Sequence, residues 1–123
     1  INLVEEGVAT AEDIDIVVRT TFGYRLPFFG PFAIADMAGL DIYQACFRTF
    51  EEHYGERLAA PEMLTELIDS GHLGVKQGGG FVIPAGDQAP LIAYRNTAYA
   101  KLGQLLRELG PAPGSTSRPP TIA

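Results

Sequence analysis

The sequence predicts an all-α fold of five to six helices. Three observations carry this: apolar residues recur at i, i+3 and i+4 in most segments, glycine or proline closes or opens nearly every such segment, and no run sustains the alternation a half-buried strand requires. With 123 residues there is room for one domain with its own core.

The chain opens with INLVEEG, apolar residues already at helical spacing with no capping residue ahead of them. Residues 1–6 therefore read as the end of a helix whose start is missing, closed by Gly7, and the chain is expected to be N-terminally truncated. Thr10 is a good N-cap, and Asp13 three residues on can return the bond as in a capping box. The helix from Ala11 to about Thr20 places Ile14, Val17 and Val18 on one stripe. Residues 24–30 (YRLPFFG) then read as an apolar loop, unusual for a connection.

Pro31 opens a short helix, apolar nearly all round and expected to be buried, which Gly39 ends. Asp41, with Gln44, is expected to cap the next helix. Its Tyr43, Phe47, Phe50 and Tyr54 share a face beside Ile42 and Cys46, up to Gly55. Pro61 starts a helix carrying Met63, Leu64, Leu67 and Ile68, closed by Gly71. The stretch HLGVKQGGGFVIP holds too many glycines for a regular element and reads as a loop running into an extended segment, Phe81 to Ile83. Pro90 begins the longest helix, to about Leu109, with Tyr94, Ala98, Leu102, Leu105, Leu106 and Leu109 along one side. The expected domain covers 1–110, and 111–123 (PAPGSTSRPPTIA) reads as a disordered tail by composition.

Charge excludes some functions. Nine Lys and Arg, thinly spread against fifteen Asp and Glu, give a net charge of −6, with no basic cluster to neutralise phosphates, so no nucleic-acid partner is expected. No apolar run approaches a membrane span, so no membrane partner is expected. The single cysteine, Cys46, cannot form an internal disulfide and points to the cytoplasm; a buried, inert thiol is expected. His53 reads as a solvated helix flank and His72 as a favourable charge at a helix end. Neither these nor Cys46 have metal-ligand spacing, so no metal is expected. Gly78, Gly79 and Gly80 precede rather than follow an extended segment, and no Gly-Lys-Ser/Thr ending follows, so a tight structural turn is favoured over phosphate binding. Asp36 stands out as a carboxylate within an apolar helix. Buried, it needs hydrogen-bond partners, and it is expected to tie down the 24–32 loop through Arg25.

Three segments, EEGVATAEDID, GPFAIADMAGLD and LGVKQGGGF, resemble in order and spacing the C-terminal domain of NAD-dependent L-3-hydroxyacyl-CoA dehydrogenases. The likeness covers about Leu3 to Ile83. It implies a helical fold like the 6-phosphogluconate dehydrogenase C-terminal domain, a role in fatty acid metabolism, and a separate N-terminal Rossmann domain, absent here, that binds NAD and carries the catalytic His–Glu pair. No catalytic or cofactor-binding residue is therefore expected in this chain. The resemblance implies a homodimer and one wall of a pocket for an acyl-CoA or related hydroxylated substrate, approached by Gly30, Pro31 and Phe32 and braced by Asp36. Where the family has a shorter GYPMGPF-type run, this sequence has GYRLPFFGPF, a departure that resembles branches acting on other hydroxylated acids or alcohols. The alternative from another class is a stand-alone helical interaction module. Self-association is expected through the 24–32 loop and the faces of the Pro31 and Tyr43–Tyr54 helices, whose apolar residues exceed what one core needs.

Overall fold

The computed structural model describes residues 1–114; of the tail expected over 111–123, residues 115–123 lie outside the described residues. Among the described residues the fold is all-α. It comprises α1 (Asn2–Glu5), α2 (Ala11–Thr20), α3 (Phe22–Arg25), α4 (Pro31–Ala38), α5 (Leu40–Tyr54), a 3-10 turn (Glu56–Leu58), α6 (Glu62–Asp69) and α7 (Ala89–Leu109). Two compact units emerge: Ile1–Phe28 with the chain from Ile92 onward, and Phe29–Leu91.

In the first unit, Gly7 ends α1 at φ 70°, and the capping box opens α2 as the residues dictate: Thr10 Oγ1 accepts from the Asp13 N–H at 3.0 Å while Asp13 Oδ2 accepts from the Thr10 N–H at 3.0 Å. The segment read as a loop from Tyr24 instead contains a single helical turn, α3. Its cause is tertiary: the Tyr24 hydroxyl donates to the Tyr99 carbonyl of α7 at 2.7 Å, and the Tyr24 and Phe28 rings flank the Tyr99 ring at 5.8 and 6.0 Å. Gly103 makes this possible, because a Cβ there would stand 2.9 Å from the Tyr24 hydroxyl. The expected stripe of α2 is little used. Ile14 is half-buried, whereas Val17 and Val18 are exposed. The side of α7 is likewise mostly open; Ala98 is buried, while Tyr94, Leu105, Leu106 and Leu109 are exposed.

The second unit holds the denser core. Ala35, Leu40 and Leu64 are buried, with Tyr43, Phe47, Ala60, Leu67, Ile68 and Phe81 packed against them. Gly39, at φ 108°, turns the chain between α4 and α5, and serves as the N-cap of α5, two residues earlier than the cap expected at Asp41. The expected cap by Asp41 is therefore absent: within the first turn, its carboxylate pairs instead with Lys76 Nζ at 2.5 Å. Only the first half of the aromatic face of α5 packs, since Phe50 and Tyr54 are exposed. Cys46, expected to be buried, is exposed, because it lies on the flank of α5 with Ile42 and Phe50 and not on the Tyr43–Phe47 face. Phe29, assigned to a sticky loop surface by its composition, is buried, and Phe28 is half-buried. The glycine-rich stretch is a compact turn system with isolated bridges Gly74–Gln77, Gly74–Gly79 and Gly79–Pro84; Phe81–Ile83 bends rather than extends.

Candidate functional site: an apolar groove held by Asp36

Asp36 lies in the middle of α4 and is fully buried, at 0% exposure. A carboxylate without solvent must find donors, and it finds three. Oδ1 accepts from the Phe81 N–H at 2.8 Å, and Oδ2 accepts from the N–H groups of Val82 and Ile83 at 2.8 and 2.9 Å. The carbonyl oxygen of the same residue accepts from Val75 N–H at 2.8 Å. One residue thus grips the loop at two places. Arg25, the partner expected from sequence, is not among these donors; main-chain amides of the 81–83 segment take its place.

This grip explains the glycines. A Cβ at Gly80 would collide with the Asp36 carboxylate, and one at Gly74 with the Asp36 carbonyl. Close backbone approach to Asp36, rather than room for a phosphate, is the reason for small residues here. Consecutive N–H groups of this kind form a cradle for an anion, and the protein's own carboxylate already fills it. The residues present therefore do not fit the pyrophosphate of a dinucleotide.

Phe81, whose N–H Asp36 holds, places its ring 5.1 Å from that of Phe32 at 65°, an edge-to-face contact favourable for aromatic pairs. The two rings, with Pro31, Tyr43 and Met63, line a groove of about 380 Å3 whose lining carries no charged side chain. Of the three residues the resemblance places at a substrate wall, Pro31 and Phe32 line this groove. Gly30 does not; it is the exposed N-cap of α4, accepting the Ile34 N–H at 3.0 Å. Phe32 is 57% exposed, so its ring is available to a ligand. Tyr43, Met63 and Phe81 were not singled out for the site by sequence; the core in which Leu40 and Leu64 pack with Ala35 of α4 brings the first two to it, and the hydrogen bond from its N–H to Asp36 brings Phe81.

Several other ionisable groups of the chain make local contacts within their own units. Lys76, hydrogen-bonded to Asp41, draws the Asp41 carboxyl below the usual aspartate value, and the Thr10 hydrogen bonds do the same to Asp13. His53 Nδ1 contacts the Thr49 carbonyl at 2.9 Å and His72 Nδ1 the Ser70 hydroxyl at 3.2 Å, both exposed. Among the described residues, no group of three His, Cys, Asp or Glu could hold a metal ion, and no helix is long and apolar enough to cross a membrane.

Residues 1–83 match the sequence model of the family described as 3-hydroxyacyl-CoA dehydrogenase, C-terminal domain. The chain belongs to this family. It is 37% identical over 86 residues to a 3-hydroxybutyryl-CoA dehydrogenase of Mycobacterium tuberculosis, which covers 66% of this chain and 28% of that protein. It is also 36% identical over 80 residues to the 5-formyl-3-hydroxy-2-methylpyridine 4-carboxylate 5-dehydrogenase of Mesorhizobium japonicum, covering 65% and 26% of the two. Among solved structures, a 3-hydroxyacyl-CoA dehydrogenase from Archaeoglobus fulgidus superposes with a TM-score of 0.69 at 34% identity, over 89% of this chain and 36% of that one. The chain spans about a quarter of the length of these curated relatives. Asp36, Gly74, Gly80 and Phe81 all lie in the family-matched region.

Proposed function

We propose that the chain is the substrate-pocket and dimer-forming domain of an NAD-dependent oxidoreductase, which converts the 3-hydroxyl of an L-3-hydroxyacyl-CoA to the 3-keto form. The NAD and the catalytic groups belong to an N-terminal Rossmann domain that partners this one in the cytoplasm. The observation that carries the reading is the apolar groove beneath the Phe32–Phe81 pair, held open by a buried carboxylate. Its volume and apolar lining suit the hydrocarbon part of a small ligand. A carbon chain gains from leaving water there, and the absence of charged lining disfavours a free carboxylate in the same place.

A second reading keeps the family and changes the substrate to another hydroxylated acid or alcohol. The Mesorhizobium relative, named for a pyridine carboxylate, and the longer 24–30 run support it.

The experiment is an assay of NADH formation by the full-length product of the reading frame, offered L-3-hydroxybutyryl-CoA, longer L-3-hydroxyacyl-CoA esters and free hydroxy acids. Turnover of the thioesters is expected; turnover of free hydroxy acids alone favours the second reading. No turnover of any of them sinks both. Calorimetric titration of the 123-residue chain with NADH is expected to give no saturable heat, and micromolar binding there would contradict the assignment of NAD to another domain.

A further inference from the structure

Among the described residues, one cation is half-buried and has no partner. Arg57, Lys101 and Arg107 stand in solvent. Lys76 pairs with Asp41, and Arg19, Arg48 and Arg95 each bond to an acceptor one to four residues away. Arg25 does neither: it is half-buried, and no hydrogen bond or ion pair holds its guanidinium. All fifteen Asp and Glu of the sequence lie within residues 1–114, and none of them meets it. Asp36, the acid expected to do so, is occupied by the amides of Phe81, Val82 and Ile83.

Taking a charge partly out of water is unfavourable unless something pairs with it. Residues 20–35 hold no other charge, so Arg25 stands alone in an apolar run. The turn that carries it is anchored on both sides. The Tyr24 hydroxyl donates to the Tyr99 carbonyl at 2.7 Å, the Phe28 N–H donates to the Arg25 carbonyl at 3.0 Å, and the Phe28 ring lies 6.0 Å from that of Tyr99. A side chain on an anchored turn loses less freedom on meeting a ligand, which is how preorganisation raises affinity.

The chemistry of the group says which ligand. A guanidinium presents a planar fork of donors that matches a carboxylate through two parallel hydrogen bonds. Phosphate groups are commonly met by clusters of cations, and Arg25 has no second cation in its run. The apolar groove offers a carboxylate nothing, since its lining carries no charged side chain and Arg25 is not part of it. A substrate with a free carboxylate therefore needs a cation from another part of the enzyme. A thioester presents a neutral carbonyl instead, which leaves the fork incompletely satisfied.

We infer that Arg25 is a specificity-determining residue of the parent enzyme, whose guanidinium takes the free carboxylate of a hydroxylated acid. The inference rests on the second reading above and supplies the anion-binding group which that reading needs.

The test uses the full-length enzyme with NAD, a panel of free 3-hydroxy acids, and the uncharged amide and CoA thioester of each. An acid is expected to be preferred over its amide. Arg25→Gln should lower kcat/KM for the acid about tenfold or more, chiefly through KM, and leave the amide unchanged. Arg25→Lys, which keeps the charge and loses the fork, should recover part of the loss. Thermal melts monitor folding; if Arg25→Gln does not fold, Arg25→Lys decides, with KM expected to rise for the acid and not for the amide. Equal losses on acid and amide mean that Arg25 only shapes its run, which overturns the inference. A larger loss on the thioester than on the acid assigns the guanidinium to a phosphate of CoA and also overturns it. Turnover of thioesters and of no acid overturns it while leaving the first reading intact. No turnover of any probe overturns it together with both readings.

Discussion

The Asp36 carboxylate accepts the main-chain N–H of Phe81 at 2.8 Å across 45 residues of sequence. That bond, with those from Val82 and Ile83, links the middle of α4 to the loop that presents Phe81 to the groove.

Replacing Asp36 by Leu leaves three N–H groups without an acceptor in a site closed to water. The chain is expected to lose about 3 kcal/mol or more of stability, since each unsatisfied buried donor costs roughly 1–3 kcal/mol. Urea denaturation measures this. An unchanged midpoint would mean that the amides find other acceptors and that the carboxylate is dispensable.

Gly74 and Gly7 both have positive φ, 91° and 70°, yet differ in surroundings. A Cβ at Gly7 meets nothing within 4 Å, whereas one at Gly74 runs into the Asp36 carbonyl. Gly7→Ala is expected to cost only the conformational strain, about 1 kcal/mol. Gly74→Ala should cost clearly more, because backbone must move. Thermal melts of the two variants compare them directly, and equal losses would remove the close approach as the reason for Gly74.

The Tyr24 hydroxyl bond to the Tyr99 carbonyl predicts a coupled pair. Tyr24→Phe should lose about 1 kcal/mol. Gly103→Ala should be unfavourable with Tyr24 present, because its Cβ crowds the hydroxyl. In the Tyr24→Phe background it should become stabilising, since alanine is preferred over glycine in a helix by up to about 1 kcal/mol. A double-mutant cycle with additive effects would show that the two side chains do not meet.

Acid should weaken the fold through Asp41 and Asp13. Both carboxyls are held below the ordinary aspartate value, by Lys76 and by Thr10 respectively. A depressed folded-state value means that their contribution is present above the unfolded aspartate value and is lost as pH falls through the folded one. Lys76→Met and Thr10→Ala should each make the acid limb of a stability–pH curve shallower. Acid limbs parallel to that of the unaltered chain would show that neither pair contributes. Because both carboxylates are exposed, salt should reduce the Lys76–Asp41 part.

Much of the architecture is legible in the residues alone, because its causes are local. Thr10 and Asp13 start α2 through bonds spanning three residues, Pro31 starts α4 with its own ring, and Gly7, Gly39 and Gly55 end helices by adopting positive φ. Asp36 is likewise conspicuous, as a carboxylate within an apolar helix. The candidate site was legible only in part: Pro31 and Phe32 were marked by family resemblance, while Tyr43, Met63 and Phe81 carry no local signal distinguishing them from other core residues.

What only the tertiary structure decided is which groups meet across long stretches of chain. A buried carboxylate must find donors, but nothing near Asp36 in the sequence says whether Arg25 or the amides of 81–83 will supply them. Asp41 could cap a helix by every local rule, yet the earlier start of α5 and the arrival of Lys76 turn it into an ion pair. Tyr24 becomes part of a helical turn because Tyr99 receives its hydroxyl. Periodicity marks Val17 and Val18 as apolar members of a helical stripe, but their burial depends on whether another surface arrives, and in this chain by itself both remain exposed. Caps and turns act within a few residues and follow from residue type, whereas long-range partners follow from the path of the whole backbone.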